Sequence, residues 1–292
     1  MLQQIIVNSL IACCFYFLVA LGFSVIYSTV NFFHFAHGIV FTAGAYFVFL
    51  FTQWLGMPLW ISIVLGIAFG AILGCLMEIL VYRPFHNRGS SGLVLLLASL
   101  GMYILLQNVI SMAFGDNTQS IRTGTVQEGI NILGARITPI QIITIGVSIV
   151  LVIALSAFLK VTRIGKSMRA VANDPELANI SGIHSNRVIL WAFAIGSALA
   201  GLAGILVALD VDMTPTMGMN ALMMGVVAVI IGGVRSIPGI ALGALLLATA
   251  QHLGAWYIGS QWQEAIAFVV LVLFLLFRPE GFMGKKIKSA TV

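Results

Sequence analysis

The stretch Pro139-Ile-Gln-Ile-Ile-Thr-Ile-Gly-Val-Ser-Ile-Val-Leu-Val-Ile-Ala-Leu-Ser-Ala-Phe-Leu159 contains no charged residue. As an α-helix it is about 30 Å long, the thickness of the hydrocarbon core of a bilayer. It stops at Lys160, and Arg163, Lys166 and Arg169 follow. Apolar runs of similar kind recur at 5–28, 36–55, 58–82, 92–114, 188–209, 219–234, 238–255 and 260–277. The run 219–234 is short, and Arg235-Ser-Ile-Pro238 joins it to the next, so the pair reads either as two spans or as one broken element. The 292-residue chain is 60% hydrophobic and 8% charged, against about 25% charged for soluble domains. That composition excludes a water-soluble surface. The expected fold is all-α: a polytopic membrane helix bundle of eight or nine transmembrane helices, forming one membrane domain over 1–292.

The charges orient the bundle. Loop 83–91 carries Arg83 and Arg88, and loop 160–187 carries Lys160, Arg163, Lys166, Arg169 and Arg187 against Asp174 and Glu176. The tail carries Arg278, Lys285, Lys286 and Lys288 against Glu280. Loop 115–138 is balanced, with Arg122 and Arg136 against Asp116 and Glu128, and segment 210–218 holds only Asp210 and Asp212. The positive-inside rule puts the first three in the cytoplasm and the last two outside. Nine alternating spans satisfy all five assignments, with the N-terminus outside and the C-terminus inside. The net charge of +5 is thus explained by topology, and no nucleic acid partner is expected. Cys13, Cys14 and Cys75 sit inside apolar runs and read as small buried hydrophobes. Met1-Leu-Gln-Gln lacks the basic start and cleavage site of a signal peptide, so the first run is expected to be retained.

Three segments interrupt the apolar pattern. Asn31-Phe-Phe-His-Phe-Ala-His-Gly38 runs into Gly44-Ala-Tyr46. On a helix Asn31, His34 and His37 would share a face. No carboxylate or cysteine accompanies the histidines, so the usual metal ligand sets are incomplete. Two readings stay open: a polar helix start with Asn31 as its cap, or a polar stretch facing a pathway, with Gly38 and Gly44 allowing close helix approach. Met217-Gly-Met-Asn220 through Gly232-Gly233 to Pro238-Gly239 reads either as a discontinuous helix of the kind that lines transport sites or as a tight helical hairpin. Gly66-Ile-Ala-Phe-Gly-Ala-Ile-Leu73 resembles Gly239-Ile-Ala-Leu-Gly-Ala-Leu-Leu246, which reads either as an inverted repeat or as recurring small-residue packing.

Loop 160–187 carries the most specific local signals. Asp174-Pro175-Glu176 has the form of a helix start: an N-cap aspartate, proline at the first position and an acid in the first turn. Gly182 is suited to a helix stop. A short cytoplasmic helix is expected, preceded by a basic strip that includes Arg169, as a docking element for a partner. Gly165-Lys-Ser167 is not a phosphate loop, since that motif needs a glycine where Lys160 stands. Intramembrane carboxylates are scarce. Glu78, a turn from Arg83, and Glu264, a turn into the last run, both lie near enough to an interface for a solvated role.

On these residues the chain resembles the permeases of high-affinity branched-chain amino acid ABC importers. The resemblance rests on Ala36-His37-Gly38 with Gly44-Ala-Tyr46 and on Met168-Arg-Ala-Val-Ala, Glu176-Leu-Ala178 and Gly182-Ile. It extends through Arg187-Val, Phe193-Ala-Ile-Gly-Ser-Ala-Leu-Ala-Gly-Leu-Ala-Gly204, Gly232-Gly233, Pro238-Gly239 and Leu276-Phe-Arg-Pro-Glu-Gly-Phe282. Asn31 stands further from Ala-His-Gly than in the commonest form of the motif. The resemblance implies a permease subunit in a bacterial cytoplasmic membrane. Its expected partners are a second homologous permease, two cytoplasmic ATPase subunits and an extracytoplasmic substrate-binding protein. It implies no cofactor on this chain, with ATP-Mg used by the partner ATPases. Coupling falls to loop 160–187, through Arg169, Asp174, Pro175, Glu176, Ala178 and Gly182. Asn31, His34, His37, Asn108 and Asn220 are the candidate pathway lining. The cargo is open: relatives of this type also carry urea, short amides or other amino acids. An ion-coupled secondary transporter is the rival class, and it calls for a mid-membrane acid or histidine relay without a docking loop. A catalytic role finds no paired acids and no Ser/His/Asp grouping.

Overall fold

The computed structural model describes residues 2–122, 129–132 and 134–284. It is mostly helical. Helices α1 (Leu2–Val30), α2 (Ala36–Phe49), α3 (Leu59–Met77), α4 (Arg83–Asn87) and α5 (Gly92–Phe114) precede a small antiparallel hairpin of β1 (Ile130–Ile132) and β2 (Ala135–Ile137). Then follow α6 (Pro139–Val161), α7 (Arg163–Asn173), α8 (Pro175–Ile180), α9 (Ser185–Asp210), α10 (Met217–Gly232), α11 (Ile237–Tyr257) and α12 (Gln263–Phe277). Eight helical segments among the described residues are long and apolar enough to cross a membrane, and the shorter α10 is the ninth apolar helix. These helices are the candidates for the expected eight or nine spans.

Contacts gather the connections at two ends of the bundle. At one, Gln4 exchanges hydrogen bonds with the Arg136 backbone, Gln119 pairs with Met213, and Arg122 forms a 3.0 Å ion pair with Asp212. At the other, Arg83 reaches the Asn186 carbonyl, Arg235 the Ala172 carbonyl, and the Phe282 amide the Ile231 carbonyl. These are the hairpin end and the α8 end of the bundle. Glu128 and the basic residues Lys285, Lys286 and Lys288 lie outside the described residues.

Lipid offers no hydrophobic drive for helix association, so close backbone approach matters more. The buried residues of α3 are Ser62, Gly66, Gly70, Gly74 and Met77, a stripe with a near four-residue repeat. Gly70 and Gly74 face Ser197 and Gly201 of α9, and a β-carbon on Gly44 of α2 would sit 2.7 Å from the Gly201 Cα. Helix α9 is thus the hub, packed on α1, α2 and α3. Only 6% of the apolar window of α12 and 17% of those of α5 and α6 are buried, against 72% for α1 and α9. The outer helices therefore present their apolar faces to lipid or to a neighbouring subunit.

Three expectations are corrected. Segment 83–91 is not all loop: α3 continues through a π-helical turn, Glu78–Tyr82, into α4. Pro84 explains the turn, because it has no N–H to donate and its ring crowds the carbonyl one turn earlier. Glu78 is not solvated but buried at 1% exposure, on the same face of the helix as the glycine stripe. The stretch 31–37 is not one helix. Asn31 closes α1 with φ +53°, its amide bonded to the Tyr27 carbonyl, and α2 begins only at Ala36. Asn31 is therefore a C-terminal cap rather than an N-terminal one, and it does not share a helical face with His34 and His37.

Candidate substrate pathway and coupling site

The loop between α6 and α9 folds into two helices. Thr162 caps α7 through its hydroxyl, which accepts from the Gly165 amide. Helix α7 buries Met168, Val171 and Ala172 and exposes Arg163, Lys166 and Arg169. The basic strip is thus the outer face of an amphipathic helix. Its apolar spacing at 164, 168 and 171 is a signal that the sequence reading missed.

Helix α8 has only six residues, too few to be stable alone, and both its ends are fastened. Asp174 Oδ1 accepts from the amides of Glu176 and Leu177, each at 2.9 Å. Pro175 occupies the first position, where an N–H would have no helical acceptor. At the far end the Ile183 amide donates to the Ala178 carbonyl at 2.9 Å and the Gly182 amide to the Asn179 carbonyl at 3.0 Å. This paired closure needs the left-handed backbone that Gly182 supplies with φ +83°. Asn179 Oδ1 then accepts from the Ser185 amide, and Ser185 Oγ donates to the Pro175 carbonyl. Ala178 is buried, whereas Leu177 is 60% and Ile180 84% exposed. Two apolar side chains three residues apart therefore project from a rigid platform at the α8 end.

A second node ties that platform to the bundle. Gly233, with φ +96°, ends α10, and Arg235 in the following turn donates to the Ala172 carbonyl of α7 at 2.6 Å. Ser24 of α1 donates to the Val234 carbonyl. The amides of Phe282 and Met283 bond the Ile231 and Gly232 carbonyls, which would otherwise lack partners at the end of α10. The closing Arg278-Pro-Glu-Gly-Phe282 segment is thus a cap for α10. A β-carbon on Gly239 would overlap the Gly232 carbonyl, and one on Gly243 the Ala228 carbonyl. Helices α10 and α11 are a tight hairpin, the packing alternative of the two left open above.

His34 and His37 are both fully buried. His34 Nδ1 lies 3.1 Å from the Tyr82 hydroxyl and 3.3 Å from Ser99 Oγ. The Ser99 hydroxyl also accepts from the Ala36 amide at 2.9 Å, so α5 supplies the cap that α2 lacks in its own sequence. His37 Nε2 lies 3.3 Å from the Val19 carbonyl. Beside it Gly38 faces Gly218, where a β-carbon would come within 2.7 Å of the Gly218 carbonyl oxygen. No three His, Cys, Asp or Glu residues gather in metal-binding geometry among the described residues.

The candidate pathway residues therefore do not form one lining. Asn31 is exposed at the α8 end, and the two histidines lie inside the bundle. Asn108 is exposed on α5 and bonds the Ile104 carbonyl of its own helix. Asn220 stands on α10 at the hairpin end and donates to Glu264 Oε1 at 2.7 Å. It lines a cavity of about 390 Å³ with Tyr16, Met224, Gln251, Gln263 and Glu264. A second cavity, of about 280 Å³, is almost wholly apolar and lies between α2, α3 and α5, beside Tyr46, Phe69 and Phe114.

Comparison with known proteins gives a consistent result. The family described as branched-chain amino acid transport system, permease component, matches residues 5–275. The high-affinity branched-chain amino acid transport system permease protein BraD of Pseudomonas aeruginosa is 35% identical over 97% of this chain and 96% of its own. The LivH permease of Salmonella typhimurium, of the same description, is 32% identical over 92% and 91%. A solved structure of PsaBC from Streptococcus pneumoniae in complex with Fab aligns with a TM-score of 0.54 at 14% identity, covering 92% of this chain and 90% of that one, a likeness of fold.

Proposed function

This chain belongs to the branched-chain amino acid transport permease family, and on that premise we propose that it forms half of the membrane pathway of an ATP-driven importer. Its cargo is branched-chain amino acids. A second homologous permease completes the pathway, two cytoplasmic ATPase subunits drive it, and an extracytoplasmic binding protein delivers the cargo. The chain itself contributes no nucleotide chemistry and acts as a transport subunit. The α8 end faces the cytoplasm of a bacterium, with the N-terminus outside, as the basic residues of α7 and loop 83–91 favour.

The observation that carries this reading is α8. A six-residue helix held at both ends, with Leu177 and Ile180 turned to solvent, is built to seat in a groove of a partner. Displacement of α8 would reach α7, and the Arg235 bond to Ala172 would pass it to the α10–α11 hairpin. Inside, His34 Nδ1 and His37 Nε2 meet protein partners where α1, α2 and α5 come together, while His34 Nε2 and His37 Nδ1 are buried without one.

The test is Leu177→Asp combined with Ile180→Asp in the assembled complex. We expect the ATPase to stop co-purifying and uptake of labelled leucine to be lost, while the variant folds as wild type because both side chains are exposed. Retained ATPase binding with normal uptake would remove α8 as the docking element.

A further inference from the structure

The cavity at the hairpin end holds an exposed carboxylate, Glu264, with no cation beside it among the described residues. Among the described residues Glu264 is the one charged residue lining it, and no Lys or Arg lines it. Its Oε1 accepts from Asn220 Nδ2, which fixes the carboxylate in place and leaves Oε2 for another donor. Gln251, on α11, is 3% exposed. Its Nε2 donates to the Gln263 carbonyl at 3.0 Å and lies 3.3 Å from Met224 Sδ. Both amide protons are thereby used, which sets the amide orientation. Gln251 Oε1 is left as a buried acceptor with no donor, and such atoms in native structures call for an explanation. Tyr16 and Ser260 add hydroxyl groups, and Ala221 and Met224 supply an apolar wall.

We propose that this cavity binds a primary ammonium group, held by Glu264 and Gln251 Oε1. An ammonium offers three N–H donors and no acceptor, which matches a carboxylate, an orphaned amide oxygen and a hydroxyl. A divalent metal is a poorer match, because hard dications take six or more oxygens and usually several carboxylates. The volume of about 390 Å³ also leaves room for carbon attached to the nitrogen. Two sources offer this chemistry at the membrane surface: a free amino acid in transit, and the headgroup of an ethanolamine lipid. The first source rests on the function proposed above; the site does not.

The full-length chain is placed in nanodiscs of phosphatidylcholine, whose quaternary nitrogen has no N–H, and in discs that also contain phosphatidylethanolamine. In the first, L-leucine, leucinol and 4-methylpentanoate are titrated and followed by thermal unfolding. In the second, retained lipid is read by native mass spectrometry. Stabilisation by leucine and leucinol but not by 4-methylpentanoate identifies the free source. Selective retention of phosphatidylethanolamine identifies the lipid source. Either supports the site, provided that Glu264→Gln and Gln251→Leu each weaken the interaction about tenfold or more, the scale for losing a charge-assisted bond. Gln251→Leu decides alone if Glu264→Gln does not fold. The site is overturned if wild type engages no ammonium source, or if a folded variant engages it as wild type does. Failure of the assembled complex to accumulate branched-chain amino acids would overturn the proposed function and leave the ammonium site standing.

Discussion

Gly182→Ala isolates the backbone contribution at the end of α8. Nothing lies within 4 Å of a β-carbon built there, so the substitution introduces no clash with a neighbour. What it meets is the backbone itself, held at φ +83°. An L-residue in that left-handed region costs about 1–2 kcal/mol, which is about a 5- to 30-fold shift in the local closed-to-open ratio. The amides that report it are those of Gly182 and Ile183, bonded to the carbonyls of Asn179 and Ala178. Hydrogen exchange on the chain in nanodiscs is therefore expected to speed up by that factor at 182 and 183, and to change little in α9. Gly182→Asn should recover much of the protection, since asparagine tolerates the same conformation. Asp174→Ala acts at the other end, where two amide bonds are lost, for about 1 kcal/mol. In the assembled transporter both variants should lower uptake while leaving ligand capture by the binding protein unchanged. Unchanged exchange at 182 and 183 in Gly182→Ala would refute the closure described for α8.

Further outcomes follow from other contacts. Ser99→Ala leaves the buried Ala36 amide without its acceptor and should lower stability by about 1–3 kcal/mol, read by thermal unfolding in detergent. Tyr82→Phe should cost less, about 0.5–1.5 kcal/mol, because His34 Nδ1 keeps Ser99. Gly204→Ala places a β-carbon against the Phe41 carbonyl and should destabilise by about 1–3 kcal/mol. Gly101→Ala, with open space around it, should be neutral or stabilising by up to about 1 kcal/mol. Equal melting of the two variants would contradict the close packing of α2 on α9. Arg235→Gln removes the charged donor to Ala172. It should reduce ATP-dependent uptake while the ATPase subunit still co-purifies, and loss of that co-purification would instead make Arg235 part of the docking surface.

How far the sequence could be read depends on how local each determinant is. The expected run 36–55 corresponds to α2 with its π-helical extension to Trp54, and 92–114 corresponds to α5. Asp174, Pro175 and Gly182 mark α8 because capping acts between neighbours in the chain. Asn31 suits either end of a helix, so its place as the cap that ends α1 is not legible locally. The segment's direction is set by where α2 is capped, and that cap is Ser99 on α5. Glu78 reads as solvated in the sequence because it lies close to an interface. The glycine stripe instead turns its face toward α9, and the Arg83 Nε to Glu78 Oε1 distance is 3.9 Å.

From the amino-acid sequence alone it follows that the chain is a multi-pass membrane protein, about where most of its apolar helices run, and that the 160–187 loop carries a capped helix. Those properties rest on composition and on interactions between residues a few positions apart. Which distant residues meet follows from the packing of the helices: Ser99 with Ala36, Arg235 with Ala172, Asn220 with Glu264. In a soluble helix, amphipathicity reveals the inward face. Here helices such as α1 and α9 are apolar all round, so their rotation is set by glycines that admit a neighbouring backbone. The polar cavity at Glu264 and Gln251 exists only once those rotations are fixed.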